Sequence, residues 1–246
     1  MRWAIGSGTV LGWLLAALDA VLAAIDEEGV EEIWCLGDTV GYGPRPNECC
    51  RIVQERATLC LVGNHDLVAL ESAGVDVAEF NPDAAAAARW TTAALDEHSR
   101  AFLESLHPEA WREGAAMFHA SARDPVWEYV LTGEAALGTF EATQEALVLV
   151  GHSHVALAIS LDGDRLEGGV AGGGTEIPLD GARRLLNPGS VGQPRDSDPR
   201  AAWLLLDLDA RTAEWLRVDY DVARTQRAIL AAGLPQRLAA RLAEGV

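Results

Sequence analysis

Short apolar runs that end abruptly in polar residues recur along the chain. Three of them end in a glycine followed by carboxylate, amide or imidazole side chains: Glu32–Asp38, Leu59–Asp66 and Ala146–His154. A continuous apolar run is typical of a strand that is buried on both faces. The carboxyl ends of neighbouring parallel strands lie at one edge of a sheet, where open α/β sheets bind ligands. We therefore expect the polar side chains of the three segments to meet in one crevice.

The remaining pattern predicts an α/β protein. Helical segments alternate with strands in the first half of the chain, and the longest is the Ala-rich stretch Pro82–Leu106. We predict a strand that ends at Asn64 and another over Glu113–His119, then a series of short strands after His154 and a closing pair of helices. This order predicts two packed mixed sheets with helices outside. No repeat or linker interrupts it, so residues 1–246 are expected to form one domain.

Charge and composition exclude several functional classes. The formal net charge of -18 argues against generic binding to nucleic acid or membranes, because both partners require a basic surface. All 19 basic residues are arginine, which excludes a Schiff-base lysine and a phosphate-loop lysine. The four cysteines lack zinc-binding spacing and are interpreted as reduced, as in a cytoplasmic protein. Val10–Leu18 has the apolar character of a signal peptide, but the favoured interpretation is a strand followed by a buried helix.

The polar strand ends, taken in order, resemble a known family. Aspartate, asparagine and histidine form a mixed oxygen and nitrogen ligand set that suits Mn, Fe, Zn or Ni rather than Ca or Mg. Gly37-Asp38, Gly63–Asp66, the isolated His119 and Gly151–His154 stand in the order seen in calcineurin-like metallophosphoesterases, in particular their small bacterial and archaeal stand-alone phosphodiesterases. Further matching segments are Gly41–Pro44, Arg123–Tyr129 and Asn187–Arg195. The combination is far more specific than any one motif.

The resemblance implies a four-layer αββα sandwich that holds two divalent metal ions. One ion would be bound by Asp38, Asn64, His119 and His152. The other ion would share Asp38 and also bind His154. The implied reaction is attack of a metal-activated hydroxide at the phosphorus of a phosphate monoester or diester.

Three further residues are assigned to a small phosphorylated substrate. The resemblance implies that His65 donates to the phosphoryl oxygen or protonates the leaving alcohol. Arg123 and Arg195 are candidates for bidentate phosphate binding, although surface arginines usually have no such role. Trp127 and Tyr129 either stack on a nucleobase or only pack, so monoester, diester and nucleotide substrates all stay open.

One segment departs from the family pattern. The first strand of the family ends in Ser-Asp-x-His-Gly-Asn, which supplies two metal ligands, whereas Ser7–Leu14 contains neither Asp nor His. Two alternative explanations fit the difference: genuine loss of these ligands, or a pair of compensating frameshifts in the coding sequence. A metal-dependent phosphoesterase with an impaired first metal site is the leading hypothesis. The alternative is a catalytically inactive relative that binds a metal or a phosphorylated ligand and acts in regulation.

Ligand counting predicts about one tightly bound metal ion per chain rather than two. The neighbouring site retains only Asp38 and His154, and a second divalent ion must also overcome repulsion from the first. Metal analysis of the desalted protein is therefore expected to give closer to one ion than two. Reinstating an Asp and a His after Ser7, in the family's spacing, should restore both the second ion and activity. Two tightly bound ions in the unmodified chain would contradict this prediction.

Overall fold

Two mixed β-sheets of six strands each pack face to face. The structure is a computed structural model and describes residues 1–6 and 15–246. The described strands are β1 (Arg2–Gly6), β2 (Glu32–Cys35), β3 (Leu59–Cys60), β4 (Glu109–Arg112), β5 (Ala115–Phe118), β6 (Leu147–Val150), β7 (Ala156–Asp162), β8 (Arg165–Val170), β9 (Glu176–Pro178), β10 (Arg183–Pro188), β11 (Ala201–Asp207) and β12 (Thr212–Val218). The strand order is β3-β2-β1-β11-β12-β9 in the first sheet and β4-β5-β6-β10-β7-β8 in the second.

Helices cover the outer face of each sheet. The described α-helices are α1 (Leu15–Glu28), α2 (Pro46–Arg56), α3 (Asn64–Ala69), α4 (Pro82–Ala94), α5 (Glu97–Glu104), α6 (Gly133–Ala142), α7 (Val222–Ala231) and α8 (Gln236–Ala240). Buried residues of α6 pack on the second sheet, and those of the other seven helices pack on the first. The layers are therefore helix, sheet, sheet and helix, which confirms the predicted αββα sandwich.

Each sheet is parallel where the polar strand ends occur. β1, β2 and β3 are parallel neighbours in the first sheet, and β5, β6 and β10 are parallel neighbours in the second. The other strand pairs of the described residues are antiparallel. The carboxyl ends of β2 and β3 therefore share one edge of their sheet, as do those of β5 and β6.

Buried side chains alternate between the two faces of the central strands. In β11, Trp203 and Leu205 pack under the helices, whereas Leu204 and Leu206 lie between the sheets. Successive side chains of a strand point to opposite faces, so a strand covered on both sides needs apolar residues at every position. This double burial is the reason that continuous apolar runs identified the central strands.

Two predicted elements differ from the structure because of local turn chemistry. The helical stretch Pro82–Leu106 is divided into α4 and α5, since the Asp96 side chain accepts the Ser99 N–H and caps the second helix. The predicted strand over 113–119 is half of a hairpin. Glu113 and Gly114, with φ of 51° and 79°, form the turn between β4 and β5.

No helix of the described part of the chain is long and apolar enough to cross a membrane. The run Val10–Leu18 lies partly outside the described residues, and its last four residues begin α1. The expected single domain and the cytoplasmic location stay predictions.

A buried ion pair fixes the segment that follows β10. Arg217 of β12 pairs with Asp196, and both side chains are at most 3% exposed. The Asp196 carboxylate also accepts the N–H of Ala156 at 3.3 Å. The adjacent Arg195 donates its main-chain N–H to the His154 carbonyl at 3.0 Å. The ion pair therefore holds two residues that the sequence assigns to the functional site.

We predict that Asp196→Ala lowers the free energy of unfolding by about 3 kcal/mol or more, because it removes the ion-pair partner of a buried guanidinium. The control is Asp180→Ala in the Asp180–Arg211 pair, whose side chains are 61% and 60% exposed. Its expected cost is below about 1 kcal/mol. Urea unfolding of both variants measures the difference, and the second change Arg217→Met should recover part of the loss. Equal costs for the two aspartates would contradict the prediction.

Candidate metal centre

Sharp turns at the ends of β2 and β6 direct three predicted ligands into the protein. Asp38, His152 and His154 have φ of 58°, 59° and 61°, a left-handed conformation that is uncommon for residues other than glycine. Such conformations persist where the surrounding structure enforces them, and they cluster at functional sites. All three side chains are buried.

Asn64 and His65 lie in the first turn of α3 rather than at the end of a strand, which corrects the predicted strand. β3 ends at Cys60 because the next part of the chain leaves the sheet: the N–H of Val62 donates to the carbonyl of His107 at 3.0 Å. The turn into α3 still brings both side chains to the crevice.

Asp66 closes this first turn. Its carboxylate accepts the N–H of Gly63 at 2.9 Å and the N–H of Val40 at 2.8 Å. Burial, and secondly repulsion from Asp38, raise the pKa of Asp66 to about 7. Both carboxylate oxygens are thus used to position the loops that carry the candidate ligands.

Four side chains bring their ligand atoms together where the two sheets meet. Asn64 Oδ1 lies 3.2 Å from His119 Nε2 and 3.1 Å from His152 Nδ1. His119 Nε2 lies 3.6 Å from Asp38 Oδ1. Among the described residues, the ligand atoms of Asp38, His119 and His152 lie within 4.8 Å of one another. These four residues are the set that the sequence assigned to one metal ion.

Main-chain carbonyls fix the orientation of both histidines in this cluster. His119 Nδ1 lies 2.7 Å from the carbonyl oxygen of Leu36, and His152 Nε2 lies 3.2 Å from that of Trp127. A carbonyl oxygen only accepts hydrogen bonds, so these nitrogens carry the hydrogen. Burial lowers the pKa of both imidazoles, which keeps them neutral. The nitrogens that face Asn64 Oδ1 therefore present lone pairs.

A divalent cation fits this arrangement. Lone pairs of an amide oxygen and two imidazoles face one another across about 3 Å, and Asp38 Oδ2 is buried without a hydrogen-bond partner in the described structure. Burial raises the pKa of Asp38 to about 7, an electrostatic cost that a nearby cation offsets. Histidine ligands that donate their other ring N–H to a carbonyl are typical of metal sites. A candidate site for a divalent metal is therefore present.

His154 lies beside this cluster. Its Nδ1 donates to the carbonyl oxygen of Gln193 at 2.9 Å, so Nε2 is the nitrogen with the lone pair. Its place in a second metal site stays a prediction. The segment that lacks the family's Asp and His falls on residues 7–14, which lie outside the described residues.

His65 contacts two aromatic rings at the edge of the cluster. Its ring centroid is 4.4 Å from that of Tyr42 and 4.4 Å from that of Phe80. Its main-chain N–H donates to Asp38 Oδ1 at 3.0 Å, which fixes the backbone. The side-chain Nδ1 is buried without a hydrogen-bond partner in the described part of the chain. Burial, and secondly the charge of Arg195, lower the pKa of His65 well below its usual range.

The two predicted phosphate-binding arginines lie in different environments. The guanidinium of Arg195 donates to Gln193 Oε1 at 2.7 Å, and its charge lowers the pKa of His154 after the larger effect of burial. Arg123 instead pairs with Glu128, and its guanidinium covers Gly138 of α6. The structure therefore brings Arg195 to the cluster and directs Arg123 towards a helix. A role of either arginine in substrate binding stays a prediction.

Sequence reasoning missed three kinds of feature. Gly63 approaches Asp38 so closely that an added Cβ would lie 2.1 Å from Asp38 Oδ1. The glycine before each polar strand end was the signal for this contact. The carbonyls that orient the histidines carry no side-chain signal. The third feature is the contact between Tyr129, 46% exposed and considered in the sequence only for stacking or packing, and His152, whose ring centroids lie 4.0 Å apart.

The chain is similar to known proteins over nearly its whole length. The model of the calcineurin-like phosphoesterase superfamily domain matches residues 14–211. The uncharacterized protein MJ0912 of Methanocaldococcus jannaschii is 36% identical over 236 residues, which cover 93% of this chain and 92% of that protein. A crystal structure of a metallophosphoesterase from Sphaerobacter thermophilus matches with a TM-score of 0.90 at 39% identity, covering 100% and 99% of the two chains. The hypothetical protein PH1004 from Pyrococcus horikoshii OT3 shares the fold, with a TM-score of 0.79 at 20% identity over 100% and 98% of the chains.

The fold and the site define an αββα-sandwich protein with a candidate metal centre at its strand ends. The chain belongs to the calcineurin-like phosphoesterase superfamily. This confirms the resemblance found in the sequence.

We predict that Gly63→Ala weakens Mn²⁺ binding about tenfold or more, as loss of a group that supports a metal ligand commonly does. An added Cβ would lie 2.5 Å from the Asp38 main-chain nitrogen, so Asp38 or α3 must shift. Isothermal titration calorimetry measures the affinity. Gly172→Ala is the matched control, because an added Cβ there meets nothing within 4 Å. An affinity of the Gly63 variant equal to that of the unmodified protein would contradict this account of the site.

Proposed function

We propose that this protein is a metal-dependent phosphoesterase that hydrolyses a small phosphate monoester or diester. The observation that carries the proposal is the convergence of Asp38, Asn64, His119 and His152 on one buried point, with each imidazole oriented by a main-chain carbonyl. Membership in a phosphoesterase superfamily supports the same reaction class. The mixed oxygen and nitrogen ligands favour Mn, Fe, Zn or Ni.

The chain's own residues supply binding and orientation around this point. A divalent ion, when bound, polarises a phosphoryl oxygen and lowers the pKa of a water molecule. His65 is neutral and retains one ring N–H, so it can donate to a phosphoryl oxygen or to the leaving group. Arg195 contributes a positive charge beside the cluster, and such a charge favours an anionic phosphate. The rings of Tyr42 and Phe80 pack against His65 and help to exclude water from it.

A second candidate function rests on the sequence of residues 7–14. The Asp and His of the family's first motif are absent there, which favours a catalytically inactive protein that binds metal or a phosphorylated ligand. Four of the five predicted metal ligands lie in the cluster described above, so metal binding is expected in both cases. Catalytic turnover distinguishes the two functions.

We predict Mn²⁺-dependent hydrolysis of bis(p-nitrophenyl) phosphate. His119→Ala removes a proposed ligand and should abolish turnover, while His65→Ala should lower kcat about 100-fold or more. His98→Ala is the control, because His98 is exposed and contacts Gln54 at 2.8 Å on the surface. Release of nitrophenolate measures each rate. Tight Mn²⁺ binding without any turnover would contradict the phosphoesterase and favour the binding protein.

A further inference from the structure

The side chain of Gln193 is a buried polar group that has no role in the function proposed above. Gln193 lies in the segment after β10 and is 1% exposed. Its main-chain N–H donates to the hydroxyl oxygen of Ser190 at 2.8 Å, and its carbonyl oxygen accepts the hydrogen of His154 Nδ1 at 2.9 Å. These two contacts hold the backbone of Gln193 beside the candidate metal centre, and the side chain forms a separate set of contacts.

The side-chain amide of Gln193 holds the guanidinium of Arg195. Its Oε1 accepts hydrogen bonds from Arg195 Nη2 at 2.7 Å and from Arg195 Nε at 3.1 Å. Arg195 also donates its main-chain N–H to the His154 carbonyl at 3.0 Å, and its Nη2 lies 3.5 Å from the hydroxyl of Tyr42. The Tyr42 ring packs against His65, with ring centroids 4.4 Å apart. Direct contacts therefore connect Gln193 through Arg195 to the aromatic ring that packs on His65.

The contacts of Arg195 leave its charge without an ion-pair partner. Among the described residues, no carboxylate oxygen lies within 4.0 Å of its guanidinium. Arg123, in contrast, pairs with Glu128, and Arg217 pairs with Asp196. A carboxylate partner would also hold the guanidinium in place, but it would neutralise the positive charge. A neutral amide fixes the planar set of donors and keeps the charge for an anion.

The amide nitrogen of Gln193 is a further donor near this charge. Its Nε2 is buried and has no hydrogen-bond partner in the described part of the chain. Arginine only donates hydrogen bonds, so Oε1 must face Arg195 and Nε2 takes the other position of the amide. A buried donor without an acceptor is costly, and an oxygen of a bound anion would offset that cost. Both groups therefore favour an anion.

We propose that Gln193 is a positioning residue for phosphate, whose neutral amide holds the guanidinium of Arg195 beside the candidate metal centre without neutralising it. Arg195 would contact a phosphate oxygen, and Gln193 would act through Arg195. The proposal rests on the phosphoesterase function for its meaning in catalysis, but phosphate binding is measurable without turnover. Two substitutions separate the two properties of the amide. Gln193→Met removes the acceptor, whereas Gln193→Glu keeps an acceptor and adds the charge that the amide lacks.

The test is binding of inorganic phosphate to the Mn²⁺-loaded protein, measured by isothermal titration calorimetry at constant ionic strength. Gln193→Met and Gln193→Glu should each weaken phosphate binding about tenfold or more, because a charge-assisted contact is lost or neutralised. Gln54→Met is the matched control. The Oε1 of Gln54 also contacts a side chain, His98 Nε2 at 2.8 Å, but at an exposed position on the surface.

A double-mutant cycle with Arg195→Gln distinguishes positioning from a general disturbance of the segment. If Gln193 acts through Arg195, Gln193→Met should change the phosphate affinity less than about twofold in the Arg195→Gln background, since residues that share one interaction are not additive. Circular dichroism checks that each variant is folded. If Gln193→Met is unfolded, Gln193→Asn takes its place, because its amide is one carbon atom shorter and cannot keep both contacts to the guanidinium.

The inference would be overturned by a lack of measurable phosphate binding, by unchanged affinity in either Gln193 variant, by an equal loss in the Gln54 control, or by additive losses in the cycle. Additive losses would mean that Gln193 does not act through Arg195. The proposed function fails separately. Phosphate binding that depends on Gln193, in a protein without turnover of bis(p-nitrophenyl) phosphate, would retain the positioning role and reject the enzyme. Turnover with unchanged phosphate affinity in the variants would do the reverse.

Discussion

The orientation of imidazoles by main-chain carbonyls is the interaction on which the candidate site depends. Each of His119, His152 and His154 donates one ring N–H to a carbonyl oxygen and thereby presents the other nitrogen as a lone pair. Two of these lone pairs face the amide oxygen of Asn64, and the buried Asp38 adds a carboxylate. Buried acceptors without donors are costly, so the arrangement is most stable with a cation among them.

The segment after β10 connects the stability of the fold to the chemistry of the site. The carbonyl of Gln193 orients His154, and the next charged residue, Arg195, places a positive charge beside the cluster. One residue further, Asp196 forms the buried ion pair with Arg217 on the neighbouring sheet. Support for a candidate ligand, a positive charge beside the cluster and anchoring of the backbone thus come from Gln193, Arg195 and Asp196. A shift of this segment would affect all three.

The strands that could be predicted from the sequence are those that are buried on both faces. Strands covered on both faces must be apolar at every position, so the cores of β6 and β11 were visible as continuous runs. Turns that interrupt such patterns locally were harder to predict from the sequence. The cap at Asp96 lies inside an Ala-rich helical pattern, and the Glu113-Gly114 turn interrupts a stretch that otherwise has strand character.

The sequence by itself determined the family, the αββα architecture and the identity of the candidate ligands. Asp38, Asn64 and His152 each follow a glycine at the end of an apolar run, which is a local signal, and His119 was assigned from its place among these motifs. Only the tertiary structure decided which ring nitrogen faces inward and which arginine lies near the cluster. His119 is oriented by a carbonyl 83 residues away, and Arg195 contacts Tyr42 across 153 residues. Such contacts depend on how distant segments pack, and no local pattern of residue types encodes them.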